Sequence, residues 1–135
     1  MDLSLVETAV AVFVKNGKVL FEKRVEGDAY AGFLTLPGGA RNPREPLEET
    51  LRREMREELG VEVKEAKPLL RKSNKDPITG QEFLHHFFLV RKYSGRMREK
   101  GFVWISGKKF PHRSVMHWLS RKVALNALSL PKKEA

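Results

Sequence analysis

An α/β fold is predicted, with a mixed β-sheet held between two main helices. Three observations predict it. Short runs rich in β-branched residues interleave with helical stretches along the chain. Two segments of helical length carry apolar residues at helical spacing. One strand-like run, QEFLHHFFLVRKY at 81–93, is apolar on both faces, as a central covered strand should be.

The elements follow in order. Residues 8–24, TAVAVFVKNGKVLFEKR, read as a hairpin, because Asn16-Gly17 between two apolar runs is a strong type I′ turn signal. Residues 26–33 form a loop. Residues 34–45, LTLPGGARNPRE, are a short strand running into a Gly- and Pro-rich loop. Pro46 then stands where helices like to start. Residues 46–60, PLEETLRREMREELG, make the clearest helix, and Gly60 is a good terminator. A strand over 61–72 leads through a turn at 73–80 into the central run at 81–93. Another strand is expected at 101–106. A second helix is expected over 113–128, with Val115, Trp118, Leu119 and Val123 near one face. The reading is a single domain over 1–130 and a frayed tail at 131–135.

The chain has 135 residues, enough for one core of ordinary size. It has no cysteine, which excludes disulfides and thiolate metal sites. No apolar run is long enough to span a bilayer, and residues 1–14 lack the basic-then-apolar order of a signal peptide. A cytoplasmic protein with no membrane partner is expected. The net charge of +9 is uneven: from Arg91 onward, twelve Lys or Arg face two Glu. Such a basic C-terminal third attracts polyanions, nucleotides or nucleic acid among them, or simply forms a solvated surface. Charge alone leaves both readings open.

The first helix carries more information. At about 100° per residue, Leu47, Leu51, Met55 and Leu59 form one apolar stripe. Glu58 falls inside that stripe, and Glu54 and Glu57 continue the arc beside it. A carboxylate directed at a core is expensive unless it is paired or binds a metal. Acids in a last helical turn also oppose the helix dipole. Oxygen-only ligands suit a hard cation, Mg²⁺ or Mn²⁺. A salt-bridged surface helix would use the same letters, with Glu48–Arg52, Glu49–Arg53 and Arg53–Glu57 as i,i+4 pairs. Those pairs leave Glu54 and Glu58 without local partners. Helical phase leaves the choice open.

The wider context adds a resemblance. GARNPREPLEETLRREMREELGV, beginning at Gly39, resembles the Nudix box, G-x5-E-x7-R-E-U-x-E-E-x-G-U, with U apolar. All nine specified positions agree: Gly39, Glu45, Arg53, Glu54, Met55, Glu57, Glu58, Gly60 and Val61. Many family members have Gly where Arg44 stands, and an acid where Asn42 stands. Arg44 is expected to face water. The resemblance implies a Nudix-like α/β/α sandwich. It implies Glu54, Glu57 and Glu58 as Mg²⁺ (or Mn²⁺) ligands, with the Gly39 carbonyl as a further one. Arg53 and Glu45 would pair and brace loop against helix. Gly38 and Gly39 would let backbone approach metal and phosphates closely. The ion would also offset the helix dipole against its glutamates.

The implied reaction is hydrolysis of a diphosphate bond in a nucleoside diphosphate derivative. The whole chain looks most like MutT-type nucleoside triphosphate pyrophosphohydrolases, through LFEKR, LTLPGG, FFLVRKYSG and KKFPHRS. On that resemblance Arg24 contacts the base and Leu36 lines its pocket. The general base is Glu54 or a later loop residue, with Glu99 corresponding loosely to a metal-binding or basic glutamate. Ser114 stands where enzymes reading oxidised guanine have asparagine, which counts against that selectivity. His85 and His86 are strand neighbours on opposite faces, so they cannot share one metal. At least one is expected as a buried, hydrogen-bonded histidine or a pocket wall. A ligand role is not the expected one for His112 or His117. Tyr30, Phe33 and Trp118 can stack a base but are expected in core or loop packing.

Other readings stand beside this one. ADP-ribose, dinucleoside polyphosphates and RNA 5′ ends are substrates of the same class. A non-catalytic module of the same fold, binding nucleotide or nucleic acid, is of another class; it need not retain the three glutamates. A basic nucleic-acid-binding domain with a chance helix match lacks the expected interleaving of aromatic and basic residues. Base preference and oligomeric state are not legible in the sequence.

Overall fold

The computed structural model describes residues 4–24, 32–111 and 116–130. Tyr30, His112, Arg113, Ser114, Val115 and the tail at 131–135 lie outside the described residues. Strands β1 (Val6–Lys15) and β2 (Lys18–Lys23) form the expected hairpin. Asn16 and Gly17 both have positive φ, 53° and 74°, as a type I′ turn requires. Strands β3 (Leu34–Thr35) and β4 (Gly38–Ala40) follow, then helix α1 (Leu47–Leu59). Strands β5 (Glu62–Lys75), β6 (Glu82–Ser94) and β7 (Phe102–Ser106) precede helix α2 (Trp118–Leu128).

Three boundaries differ from the sequence reading, each for a local reason. The Gly38-Gly39 segment is not free loop: Ala40, Gly39 and Gly38 pair with Thr8, Ala9 and Val10. Strand β5 runs three residues further, to Lys75, and the turn shrinks accordingly. The ladder continues until the Asp76 carboxylate accepts from the Ile78 N–H at 2.8 Å, closing an Asx-type turn. Helix α2 begins at Trp118 rather than at 113. Met116 bridges Leu34 as a parallel partner, and the His117 N–H donates to the Leu34 carbonyl. Backbone committed to β3 in this way cannot also start a helix. Trp118 consequently sits 45% exposed rather than on the core face, while Leu119 and Val123 are buried.

The sheet order is β3-β2-β1-β6-β5, with β4 on β1 and β7 on β2. Strands β1 and β6 run parallel; the other pairings are antiparallel. The mixed sheet between two helices is therefore present. Alternation along β1 splits the core. Ala9, Ala11 and Phe13 face α1, where they meet Leu51, Met55 and Leu59. Val10 and Val12 face α2, where they meet Leu119, Val123 and Ala127. Met55 is fully buried, and truncating such a side chain to alanine costs about 2–5 kcal/mol.

One detail of topology positions the site. The C-terminal end of β1 pairs with β2, but its N-terminal part pairs with β4 on the same side. Between them the Ala11 N–H donates to the Pro37 carbonyl at 2.8 Å. The glycine pair thus enters the sheet where β1 changes neighbour, between the two helical layers. At the rims, β5 carries three register shifts and several exposed charged residues, and β7, on the far side of β2, is five residues long. Among the described residues no helix is long and apolar enough to cross a membrane.

Candidate active site

Arg53 organises the polar side of α1. Its guanidinium grips Glu45 with two bonds, Nε to Oε2 at 2.8 Å and Nη2 to Oε1 at 3.0 Å. It also donates to Glu54 Oε1 at 2.9 Å, Glu57 Oε2 at 3.4 Å and the Ala40 carbonyl at 3.0 Å. Glu45 accepts further from the Thr50 hydroxyl at 2.6 Å. The bidentate arginine, then the hydroxyl, hold the Glu45 carboxyl down at about 2. The loop after β4 is tied in this way to the second turn of α1. Two details differ from expectation. Glu49 pairs with Arg52 rather than Arg53, at 3.7 Å, and Glu54 has a partner in its neighbour Arg53.

Glu58 behaves differently. Its Oε2 is buried without a hydrogen-bond partner. Burial pushes its carboxyl up to about 8, aided by the nearby charges of Glu22 and Glu54 and opposed by Arg24. Sequence reasoning missed Glu22. The signal was available: Leu20 and Glu22 are two apart on β2, and Leu20 packs on the α1 side of the sheet. Glu22 therefore projects toward the helix, where its 3.7 Å contact with Arg24 helps hold that arginine.

The glycine bend lies directly against this cluster. A Cβ at Gly39 would overlap the Glu54 carboxyl group, and one at Gly38 would overlap the Ala9 carbonyl and Val10. At the other end, Gly60 ends the helix in a left-handed conformation, φ 71°. Arg98 reaches over it and donates to the Glu57 carbonyl at 3.0 Å and the Arg56 carbonyl at 3.4 Å. A guanidinium at the carbonyl end offsets the dipole that the glutamates oppose. The sequence reading assigned that task to the metal ion alone; Arg98, distant in sequence, gave no sign of it.

On the α2 side of the same bend is a cavity of about 280 Å³. Val10, Leu36 and Phe87 give it an apolar floor, with Gly38 and Gly39 at one wall. Thr8, Arg24, Asn74, His85, His117 and Ser120 supply the polar groups. The buried Ser120 hydroxyl accepts from the Leu36 N–H at 3.1 Å, which locks the floor to α2. Arg24 and Leu36, singled out in the sequence, both line this space; Thr8, Asn74 and Ser120 were missed because β1, β5 and α2 meet only in the folded chain. His85 and His86 do lie on opposite faces: His85 lines the cavity, while His86 contacts Glu7 at 3.0 Å. His117 is a cavity wall whose imidazole is pushed down by burial, and it stacks on Trp118. The Phe33 carbonyl accepts from the Arg24 N–H at 2.9 Å. Glu99 accepts from the Trp104 indole at 2.9 Å in the loop before β7. Arg44 is exposed, and its φ of 65° explains why glycine suits that position.

The residues fit a divalent cation in three respects. The donors are all oxygen, an orphaned carboxylate oxygen of Glu58 is buried among other acids, and Gly39 leaves no Cβ between its backbone and Glu54. Among the described residues no three acids or histidines already converge as a closed cage. Glu54 and Glu57 are both turned to Arg53.

Comparison with known proteins places this arrangement. The NUDIX domain model matches residues 5–133. The chain is 27% identical over 107 residues to a CTP pyrophosphohydrolase of Escherichia coli K12, covering 77% of this chain and 78% of that protein. It is 30% identical over 111 residues to an 8-oxo-dGTP diphosphatase of Haemophilus influenzae, covering 78% and 79%. The crystal structure of a MutT NUDIX hydrolase from Burkholderia pseudomallei superposes with a TM-score of 0.79 at 26% identity, over 91% of this chain and 97% of that one. A family match over nearly the whole chain, on a fold that sets a carboxylate helix against a glycine bend, makes this chain a member of the NUDIX family and a Nudix hydrolase.

Proposed function

We propose that the chain hydrolyses nucleoside triphosphates to the monophosphate and pyrophosphate, using Mg²⁺ or Mn²⁺. The observation that carries this reading is the position of Gly38-Gly39, shared between the carboxylates of α1 and the apolar-floored cavity. A nucleotide lying across that bend would put its base in the cavity and its phosphates beside the glutamates. Two similar proteins are named for nucleoside triphosphate substrates, which supports the same class.

Glu54, Glu57, Glu58 and the Gly39 carbonyl would hold the cation. When bound, it polarises phosphoryl oxygens and lowers the pKa of the attacking water. The chain's own groups do the rest. Arg53, anchored on Glu45, keeps Glu54 and Glu57 within reach of the bend. Glu54 is the nearer candidate for taking the water proton; Glu99 serves only if its loop turns from Trp104. Arg24, between the acids and the cavity, offers positive charge to a phosphate or the base edge. Leu36 and Phe87 cover a base face and exclude water from it.

The test is a panel of nucleoside triphosphates with Mg²⁺, scoring pyrophosphate against orthophosphate. Pyrophosphate release from at least one triphosphate is expected. Glu58→Gln should lower kcat by at least about a hundredfold while the protein stays folded. Near-full turnover by that variant would sink the assignment of the α1 carboxylates.

A further inference from the structure

The cavity contains a feature that the hydrolytic reading does not use. Parallel pairing of β1 with β6 sets Thr8 directly opposite His85. Their side chains meet: Thr8 Oγ1 and His85 Nδ1 are 2.6 Å apart. The imidazole stacks on Phe83 at 5.4 Å and 9°, and packs at a tilt beside Phe87 at 6.1 Å. The ring is thereby fixed in plane and in rotation. Both residues line the cavity, and among the described residues Thr8 is the ring's hydrogen-bond partner. Burial, then the neighbouring His117 and His86, push the His85 imidazole down to about 4, so it is neutral at pH 7.

We propose that the Thr8–His85 pair reads the exocyclic group of a nucleobase in this cavity, and that it accepts keto and amino bases alike. This rests on the placing of the base given above. A neutral imidazole carries one N–H and one bare nitrogen, while a threonine hydroxyl both donates and accepts. The short contact therefore survives in either arrangement. If the Thr8 hydroxyl donates to Nδ1, Nε2 carries the proton and donates to a keto oxygen. If Nδ1–H donates to Thr8, bare Nε2 accepts from an amino group. The proton leaves one ring nitrogen and the other gains one through solvent, so the net charge is unchanged. A site with a single fixed donor would instead reject the mismatched base strongly.

Two substrate pairs test this, UTP with CTP and ITP with ATP, since each pair exchanges keto for amino at one ring position. Wild-type kcat/KM should agree within about tenfold in each pair. His85→Phe should lower kcat/KM for all four by about tenfold, through KM rather than kcat. His85→Gln, whose amide offers both a donor and an acceptor, should restore most of that loss for all four. Thr8→Val leaves Nδ1 against an apolar wall, where a bare nitrogen is cheaper to bury than an N–H. It should skew both pairs toward the keto base by about tenfold. A wild-type preference beyond about tenfold within either pair, unchanged KM values in His85→Phe, or unskewed ratios in Thr8→Val would each overturn the proposal. If no triphosphate is turned over, the hydrolytic reading fails, and ¹⁵N spectra of the His85 ring with UMP and CMP decide this one. Opposite tautomers with the two nucleotides support it; an unperturbed ring overturns it.

Discussion

The two faces of the sheet are built in opposite ways. On the α1 face, the acidic site comes mainly from one stretch between Gly39 and Gly60, joined by Glu22 of β2, and its main brace, Arg53 to Glu45, spans eight residues. On the α2 face, the cavity draws on β1, β4, β5, β6 and α2, and its Thr8–His85 contact spans 77 residues. The first face is a local device stamped on a helix and a bend. The second exists only once distant strands have paired.

Three perturbations sharpen this contrast. The largest effect is expected from Gly39→Ala, where the new methyl overlaps the Glu54 carboxyl at the junction of the faces. The carboxyl is the far end of a flexible side chain and can swing aside, so stability should fall by less than about 1 kcal/mol while most of the activity is lost. Chemical denaturation and turnover measure both. A Gly39→Ala protein with wild-type turnover would show that the seat of the Glu54 carboxyl against the bend does not matter to activity.

A smaller effect separates the faces by pH. His85 binds its proton at about 4 when folded, against an ordinary value of 6.5. Between those values the unfolded chain holds a proton that the native state refuses, so stability falls as pH drops from 6.5 to 4. His85→Gln should flatten that slope by about 1–2 kcal/mol across the window. The metal-free Glu58 works with the opposite sign: its raised value makes stability fall as pH rises from 4.5 toward 8. Glu58→Gln should therefore stabilise the metal-free protein at pH 8. Melting curves across pH distinguish the two substitutions, and a shared slope change would mean that the faces are electrostatically one unit.

The smallest effect belongs to the loop between the faces. Arg44 sits at φ 65°, a conformation that costs an L-residue about 1–2 kcal/mol. Glycine removes that strain but adds disorder to the unfolded chain. Arg44→Gly should stabilise by up to about 1 kcal/mol, with activity unchanged. A loss of activity there would give Arg44 a part in ligand binding.

The same contrast explains what could be read from the chain. Strand and helix identities were legible because alternation and helical spacing are local patterns, and the acidic helix announced itself through one contiguous motif. Glu22 and Arg98 were not read, since each reaches α1 from a different strand or loop. Arg24 and Leu36 came through resemblance, whereas Thr8, Asn74 and Ser120 had neither a motif nor a period to mark them. The start of α2 was misplaced because a hydrogen bond from His117 to Leu34 is invisible to helical periodicity.

The rims of the sheet have a consequence of their own. Strand β5, with its irregular ladder and its fringe of Lys64, Lys67, Arg71, Lys72 and Lys75, makes a poor template for another copy's backbone. The opposite rim, β7, lies on the far side of β2 and offers only five residues. Crowding this protein at high concentration should therefore leave it dispersed rather than stacked into fibrils, because neither border gives an incoming strand a long, flat row of amides to zip onto.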